Sequence, residues 1–81
     1  MRPLNKLSRG EIAYIVDIRN AAYCAKFFEL GVFPGDRVEV RENMLDNNSL
    51  LVLINNNTYN IYKKIAETII TNVVSFEVSL N

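Results

Sequence analysis

Hydrophobic and polar residues alternate over residues 11–18, in the stretch EIAYIVDI, and this period of two predicts a β-strand. The alternation places four side chains on a common face: Ile12, Tyr14, Val16 and Ile18. The opposite face would carry Ala13, Ile15 and Asp17. Because Ile15 belongs to this second set, we expect both faces of the strand to be partly covered.

The next stretch, residues 21–30, predicts a helix, since it holds three alanines and neither glycine nor proline. Asn20 is a suitable N-cap, because its side chain can accept a hydrogen bond from a free backbone N–H group. At i, i+3 and i+4 spacing, one helix face would carry Cys24, Phe27 and Phe28. Gly31 follows, and glycine adopts at little cost the left-handed conformation that ends a helix.

A turn and a second strand come after this helix. Pro34 and Gly35 suit the central positions of a type II turn, because proline presets φ and glycine accepts a positive φ. The stretch DRVEVRE, residues 36–42, alternates again and predicts a strand with Val38 and Val40 directed inward. Its outward residues would be Arg37, Glu39 and Arg41.

The rest of the chain predicts further short strands. Residues 49–55 and 58–62 would form a hairpin around the asparagine turn at 55–57, since asparagine tolerates a positive φ. A short helical turn over 63–68 and a β-rich tail over 69–78 follow, and Leu4 and Leu7 are apolar anchors in the lead-in. Five strands and one brief helix after the first of them predict a small, mainly β, strongly bent barrel.

Composition narrows the functional classes. The 81 residues suffice for a single domain, 1–81, and 49% of them are apolar, which is ordinary for a folded chain. Nine basic residues balance nine acidic ones, so the sequence lacks the basic surplus of a nucleic-acid-binding protein. Without histidine, and with Cys24 as the only cysteine, it offers neither an internal disulfide nor a conventional zinc site. We expect Cys24 to be a small buried apolar residue.

Catalysis and membrane insertion find no support in the sequence. The commonest general base, histidine, is absent, and no serine stands in a nucleophile motif. The three glycines are too far apart to cradle a phosphate, so we expect no catalytic residue and no cofactor. No apolar run approaches the roughly 20 residues that span a bilayer, and we expect an intracellular protein.

A binding module is the class that remains. The predicted helix is apolar over more than half its circumference, and a single helix on a small barrel can bury only one stripe. Some of its apolar residues and those of the following turn should therefore stay accessible, which often marks a partner site. The alternative is that all of them serve the core.

One segment resembles a known family. The stretch KFFELGVFPGDRVEV, residues 26–40, is similar to the hallmark of the ferrous iron transport protein A (FeoA) family, in which a Leu-Gly and a Pro-Gly pair precede an alternating strand. The matching positions are Lys26, Phe27, Glu29, Leu30, Gly31, Val32, Pro34 and Gly35. The stretches at 3–18 and 59–69 also resemble that family, so the likeness spans nearly the whole chain.

The resemblance implies an SH3-like barrel with a helix inserted after the first strand. It also implies a cytoplasmic accessory protein that acts by contact on the FeoB-type membrane iron transporter, and it does not imply that this chain binds iron. From the residues themselves we expect no metal ligands, no nucleic-acid partner and no insertion into the membrane. The residues expected to form the partner surface are Tyr23, Lys26, Phe27, Leu30, Val32 and Phe33. Those expected to shape the turn are Gly31, Pro34 and Gly35.

The sequence departs from the family pattern in three places. Asn20-Ala21 and Asn55–Asn57 stand where the family often has glycine, and residues 73–81 run past its usual end. That tail is a candidate extra strand, dimer contact or remnant of a fusion. The alternative functions are an SH3-like module of a metal-dependent transcription regulator and a homo-oligomeric structural module.

Overall fold

The computed structural model describes residues 1–44 and 48–76, without the side chains of Ser75 and Phe76. The elements are β1 (Arg2–Pro3), a 3-10 turn (Leu4–Lys6), β2 (Glu11–Ile18), α1 (Ala21–Glu29), β3 (Arg37–Met44), β4 (Ser49–Ile54), β5 (Asn57–Tyr62), α2 (Lys63–Ala66) and β6 (Ile69–Phe76). The five predicted strands, the helix and the later helical turn are therefore confirmed.

The six strands form one antiparallel sheet in the order β1-β6-β2-β3-β4-β5. The sixth strand, β1, is the one that the pattern did not predict, because two residues are too few to show an alternation. Residues 73–76, which begin the tail that was a candidate extra strand, continue β6 and pair with β2. The rest of that tail, 77–81, lies outside the described residues.

The alternation predicted for β2 is wrong for half of the strand. Ala13 and Ile15 are in the core, whereas Tyr14 and Val16 are exposed. The register against β6 shifts between Ile15 and Asp17, so the side-chain phase changes there and Ile18 also points into the core. A bulge depends on the partner strand, and the period-two pattern of β2 alone does not reveal it.

Turn chemistry is confirmed at the hairpin between β4 and β5. Asn55 and Asn56 have φ angles of 53° and 65°, so both central residues are left-handed. Positive φ at both positions defines a type I′ turn, whose twist matches that of the flanking strands. The asparagines therefore replace glycine here without losing the turn.

The core lies on the inner side of the bent sheet and is closed by α1, α2 and the lead-in. The predicted anchors Leu4 and Leu7 are fully buried. The buried cluster comprises Leu4, Leu7, Ala13, Ile15, Ile18, Phe27, Val32, Val38, Val40, Leu50, Val52, Ile54, Ile61, Ala66 and Ile69. Cys24 is half-buried and packs against this cluster, so it is less enclosed than expected.

Glu39 does not face solvent as its outward position in β3 predicted. It is buried, and its neighbours across the sheet are Ile12 on β2 and Leu53 on β4. Arg41 Nε lies 2.9 Å from Glu39 Oε2, and Arg37 approaches the other carboxylate oxygen at 3.9 Å. The side chains of neighbouring strands thus cover an outer-face carboxylate, and arginine neutralises it.

Candidate functional site

The N-terminus of α1 begins where the sequence predicted. Asn20 has an extended backbone, and its Oδ1 accepts a hydrogen bond of 3.0 Å from the backbone N–H of Tyr23. This side chain satisfies one of the N–H groups that a helix start leaves without a partner. The helix is therefore anchored at its first turn without the glycine common in the resembled family.

The C-terminus of α1 ends in a Schellman motif. Gly31 has a φ of 81°, and its N–H donates to the carbonyl of Phe28 at 3.0 Å. The N–H of Val32 reaches back to the carbonyl of Phe27 at 2.8 Å, and both side chains are buried in the core. This pair of hydrogen bonds with its apolar contact is the usual form of the motif. It sets the direction in which the chain leaves the helix.

Gly31→Ala will lower the free energy of unfolding by about 1–2 kcal/mol, because a Cβ disfavours the left-handed conformation. No atom lies within 4 Å of the position that this Cβ would take, so the cost is conformational rather than steric. Urea denaturation measures it. Gly31→Asn is the matched control, since asparagine accepts positive φ more readily, and an equal loss in both variants would contradict the explanation.

The Pro-Gly turn forms as predicted. Gly35 has a φ of 97°, and the N–H of Asp36 donates to the carbonyl of Phe33 at 3.0 Å, which closes the four-residue turn. The side chain of Asp36 accepts a second hydrogen bond of 2.8 Å from the N–H of Phe33. Both backbone ends of the turn are thereby held.

Long-range hydrogen bonds fix this turn on the barrel. The N–H of Gly35 donates to the carbonyl of Ile15 at 2.7 Å, and the N–H of Ile15 donates to the carbonyl of Asp36 at 2.9 Å. Asn55 Nδ2, from the hairpin, donates to the carbonyl of Gly31 at 3.2 Å and to Asp36 Oδ2 at 3.1 Å. The helix end, the turn and the hairpin therefore form one rigid corner.

Three apolar side chains project from this corner into solvent. Phe28, Leu30 and Phe33 are 44%, 49% and 44% exposed, and the two aromatic rings lie 4.8 Å apart between centroids. We call these three residues the corner patch. Apolar clusters of this kind on a rigid backbone are typical of protein–protein contact sites.

Some residues of the predicted partner surface are buried in the structure and others are exposed. Phe27 and Val32 are 7% and 1% exposed, so they belong to the core and cannot form an accessible surface. Lys26, Leu30 and Phe33 are exposed, and Tyr23 is half-buried. Phe27 and Val32 belong to the same buried cluster, and the Val32 N–H donates to the Phe27 carbonyl where the helix ends.

Phe28 is an exposed aromatic residue of α1 that the predicted partner surface left out. The i, i+3, i+4 pattern grouped it with Phe27 as part of the helix's apolar face, although the two side chains lie about 100° apart around the axis. Its ring contact with Phe33 joins the helix to the turn. The adjacent aromatic pair FF was the signal, because a narrow buried stripe rarely takes both.

The described residues offer little for metal chemistry or membrane spanning. Within 1–44 and 48–76, no three histidine, cysteine, aspartate or glutamate residues lie together as metal ligands would. In the same ranges, no helix has the length and apolar character needed to cross a membrane. The geometry that stands out is the corner patch on its rigid support.

Comparisons with known proteins give the chain its relatives. The model of the FeoA domain family matches residues 2–72. No curated protein matches the sequence. Among solved structures, the fold is similar to an iron uptake regulatory protein (FeoA), with a TM-score of 0.78, 20% identity and coverage of 90% of this chain and 96% of that one.

Two further solved structures resemble the fold of this chain to the same degree. The FeoA protein from Chlorobium tepidum gives a TM-score of 0.81 at 18% identity, over 99% of this chain and 76% of that one. A manganese-dependent transcriptional repressor gives 0.81 at 19% identity, over 90% of this chain but 41% of the repressor. These likenesses support the SH3-like fold that the sequence resemblance implied, here with six antiparallel strands rather than the predicted five.

Proposed function

The chain belongs to the FeoA domain family, and we propose that it is an accessory or regulatory protein of ferrous iron uptake. In this proposal it works in the cytoplasm, without catalysis, by binding the cytoplasmic region of a FeoB-type membrane transporter. Iron is the cargo of that transporter rather than a ligand of this chain. The observation that supports a contact role is the corner patch.

The corner patch suits a partner surface for two physical reasons. Its apolar side chains are exposed to water in the isolated chain, so burying them against a partner is favourable through the hydrophobic effect. Its backbone is already held by the hydrogen bonds of Asn55 and Asp36, so binding loses little conformational entropy. We therefore place the transporter contact on Phe28, Leu30 and Phe33.

Replacing Leu30 or Phe33 by aspartate will reduce capture of the transporter's cytoplasmic region at least about tenfold, because each change puts a charge in an apolar contact. The measurement is a pull-down with purified, folded variants. Val74→Asp is the matched control, since Val74 is 54% exposed on β6 and outside the patch. Unchanged capture by both patch variants would refute this surface. Reduced capture by both of them, with unchanged capture by Val74→Asp, would support it.

A second candidate function rests on the similarity to the manganese-dependent repressor. This chain spans about two fifths of that protein, so it would correspond to one module of a regulator. The test is whether the purified chain binds a separately supplied DNA-binding domain of a metal-dependent regulator from the same cell. Binding to that domain, with none to the transporter, would favour the regulator module over the transport accessory.

A further inference from the structure

The free edge of the sheet is a second surface with its own chemistry. β5 is the last strand of the sheet order, and its hairpin register pairs Ile54 with Asn57. In a two-residue hairpin this closing pair is hydrogen-bonded, so the alternate residues Thr58 and Asn60 direct their backbone groups away from β4. Within the described ranges, no backbone hydrogen bond reaches those outward groups.

This edge lacks the features that usually block strand addition. The β5 sequence NTYNIY contains no proline and no charged residue, and its register against β4 runs without a bulge. Natural sheets commonly protect an edge by one of these features, because a bare edge can pair with another strand. Residues 57–62 therefore present an unprotected row of donors and acceptors.

A groove follows the edge between β5 and α1. A cavity of about 300 Å³ lies there, and its apolar lining includes Leu30, Tyr59 and Ile65. It shares Tyr62 and Ile65 with a second cavity of about 490 Å³ beside α2. We call the two together the edge groove. An extended segment added to β5 would lie in it and place alternate side chains against the apolar lining.

The α2 end of the edge groove is positively charged. Lys63 and Lys64 line the larger cavity, where Glu67 is the acidic residue. The ion pairs found among residues 1–44 and 48–76 all use arginine, and neither lysine has a carboxylate within 4.0 Å. Two cations against one carboxylate make this end of the groove complementary to an acidic segment.

We propose that the edge groove binds an extended acidic segment of a partner protein, which adds to β5 as an antiparallel strand. Apolar side chains of the segment occupy the space between β5 and α1, and carboxylates at its N-terminal end meet Lys63 and Lys64. A second copy of this chain fits less well, because its own edge sequence, NTYNIY, supplies no carboxylate. The edge groove adjoins the corner patch at Leu30, but the β5 edge and the two lysines lie outside that patch.

The charge component is tested with a synthetic, fluorescein-labelled peptide of three glutamates followed by alternating valine and threonine. Fluorescence anisotropy should show that Lys63→Glu/Lys64→Glu weakens its binding by about tenfold or more, and that added salt weakens the wild-type complex. Lys26→Glu is the control, since Lys26 is exposed on α1 and does not line the larger cavity. Equal binding by wild type and the double variant would overturn the proposal.

The strand component is tested at Asn60. Asn60→Pro removes the outward backbone N–H, and an edge strand tolerates proline at such a position. This variant should lose peptide binding, whereas Asn60→Thr, which keeps the N–H, should retain it. In labelled wild-type protein, the peptide should shift the amide resonances of Thr58 and Asn60. Peptide binding that survives Asn60→Pro contradicts strand addition. Concentration-dependent dimerisation that Asn60→Pro removes would instead identify a second copy as the occupant, and would overturn the acidic segment.

Discussion

Phe27→Ala will lower the free energy of unfolding by about 3–5 kcal/mol, whereas Phe28→Ala will lower it by no more than about 1.5 kcal/mol. The two substitutions remove the same atoms from adjacent residues of α1. Phe27 fills the core beside Val32 and leaves a cavity when truncated. Phe28 is 44% exposed and loses mainly its ring contact with Phe33.

Urea denaturation of both variants, with the slope m compared, measures the difference. Far-UV circular dichroism shows whether Phe27→Ala still folds, because a loss of this size is a large share of the stability of a small domain. If Phe27→Ala does not fold, Phe27→Leu provides the comparison, with an expected loss between those of the two alanine variants. Similar losses at Phe27 and Phe28 would contradict the division between core and corner patch.

Arg41→Ala will lower the free energy of unfolding by about 2 kcal/mol, since it removes a positively charged partner from a buried carboxylate. The contact concerned is the 2.9 Å pair between Arg41 Nε and Glu39 Oε2, whose glutamate side chain is 6% exposed. Arg9→Ala is the matched control. Its 3.6 Å pair with Glu42 lies at the surface and should change stability by no more than about 1 kcal/mol.

Glu39→Leu completes a double-mutant cycle with Arg41→Ala. The leucine would lie between Ile12 and Leu53, and replacing a buried ion pair by apolar residues is often neutral or stabilising. The double variant should therefore be more stable than Arg41→Ala alone. If the change in the free energy of unfolding of the double variant equals the sum of the changes in the two single variants, Arg41 stabilises β3 by packing rather than by neutralising Glu39.

The Phe28 and Glu39 predictions concern residues whose burial the sequence pattern assigned wrongly, in opposite directions. Period-two alternation assigned Glu39 to the solvent, and helical periodicity assigned Phe28 to the buried face. In the structure, Glu39 is buried between two neighbouring strands, whereas Phe28 is 44% exposed and its ring lies against Phe33 of the turn. Both outcomes depend on which other elements lie next to the residue.

The corner patch was only partly predictable for the same reason. The excess of apolar residues on α1 and in the following turn indicated that some would remain exposed, and Phe28, Leu30 and Phe33 do. Which ones remain exposed is decided by the helix-ending motif, which turns Phe27 and Val32 inward, and by Asn55, which ties the hairpin to Gly31. The sequence pattern did not predict the edge groove, because residues of α1, β5 and α2 form it together.

What the sequence determined alone is the local structure: the Asn20 cap, the end of α1 at Gly31, the Pro34-Gly35 turn and the asparagine hairpin. Each of these follows from the φ preference or hydrogen-bonding capacity of a few consecutive residues, so the residue types are sufficient. The tertiary structure decided the bulge in β2, the burial of Glu39, the pairing of β1 and the division of the aromatic residues. These depend on contacts between segments far apart in the chain, where burial is a property of neighbours rather than of the residue itself.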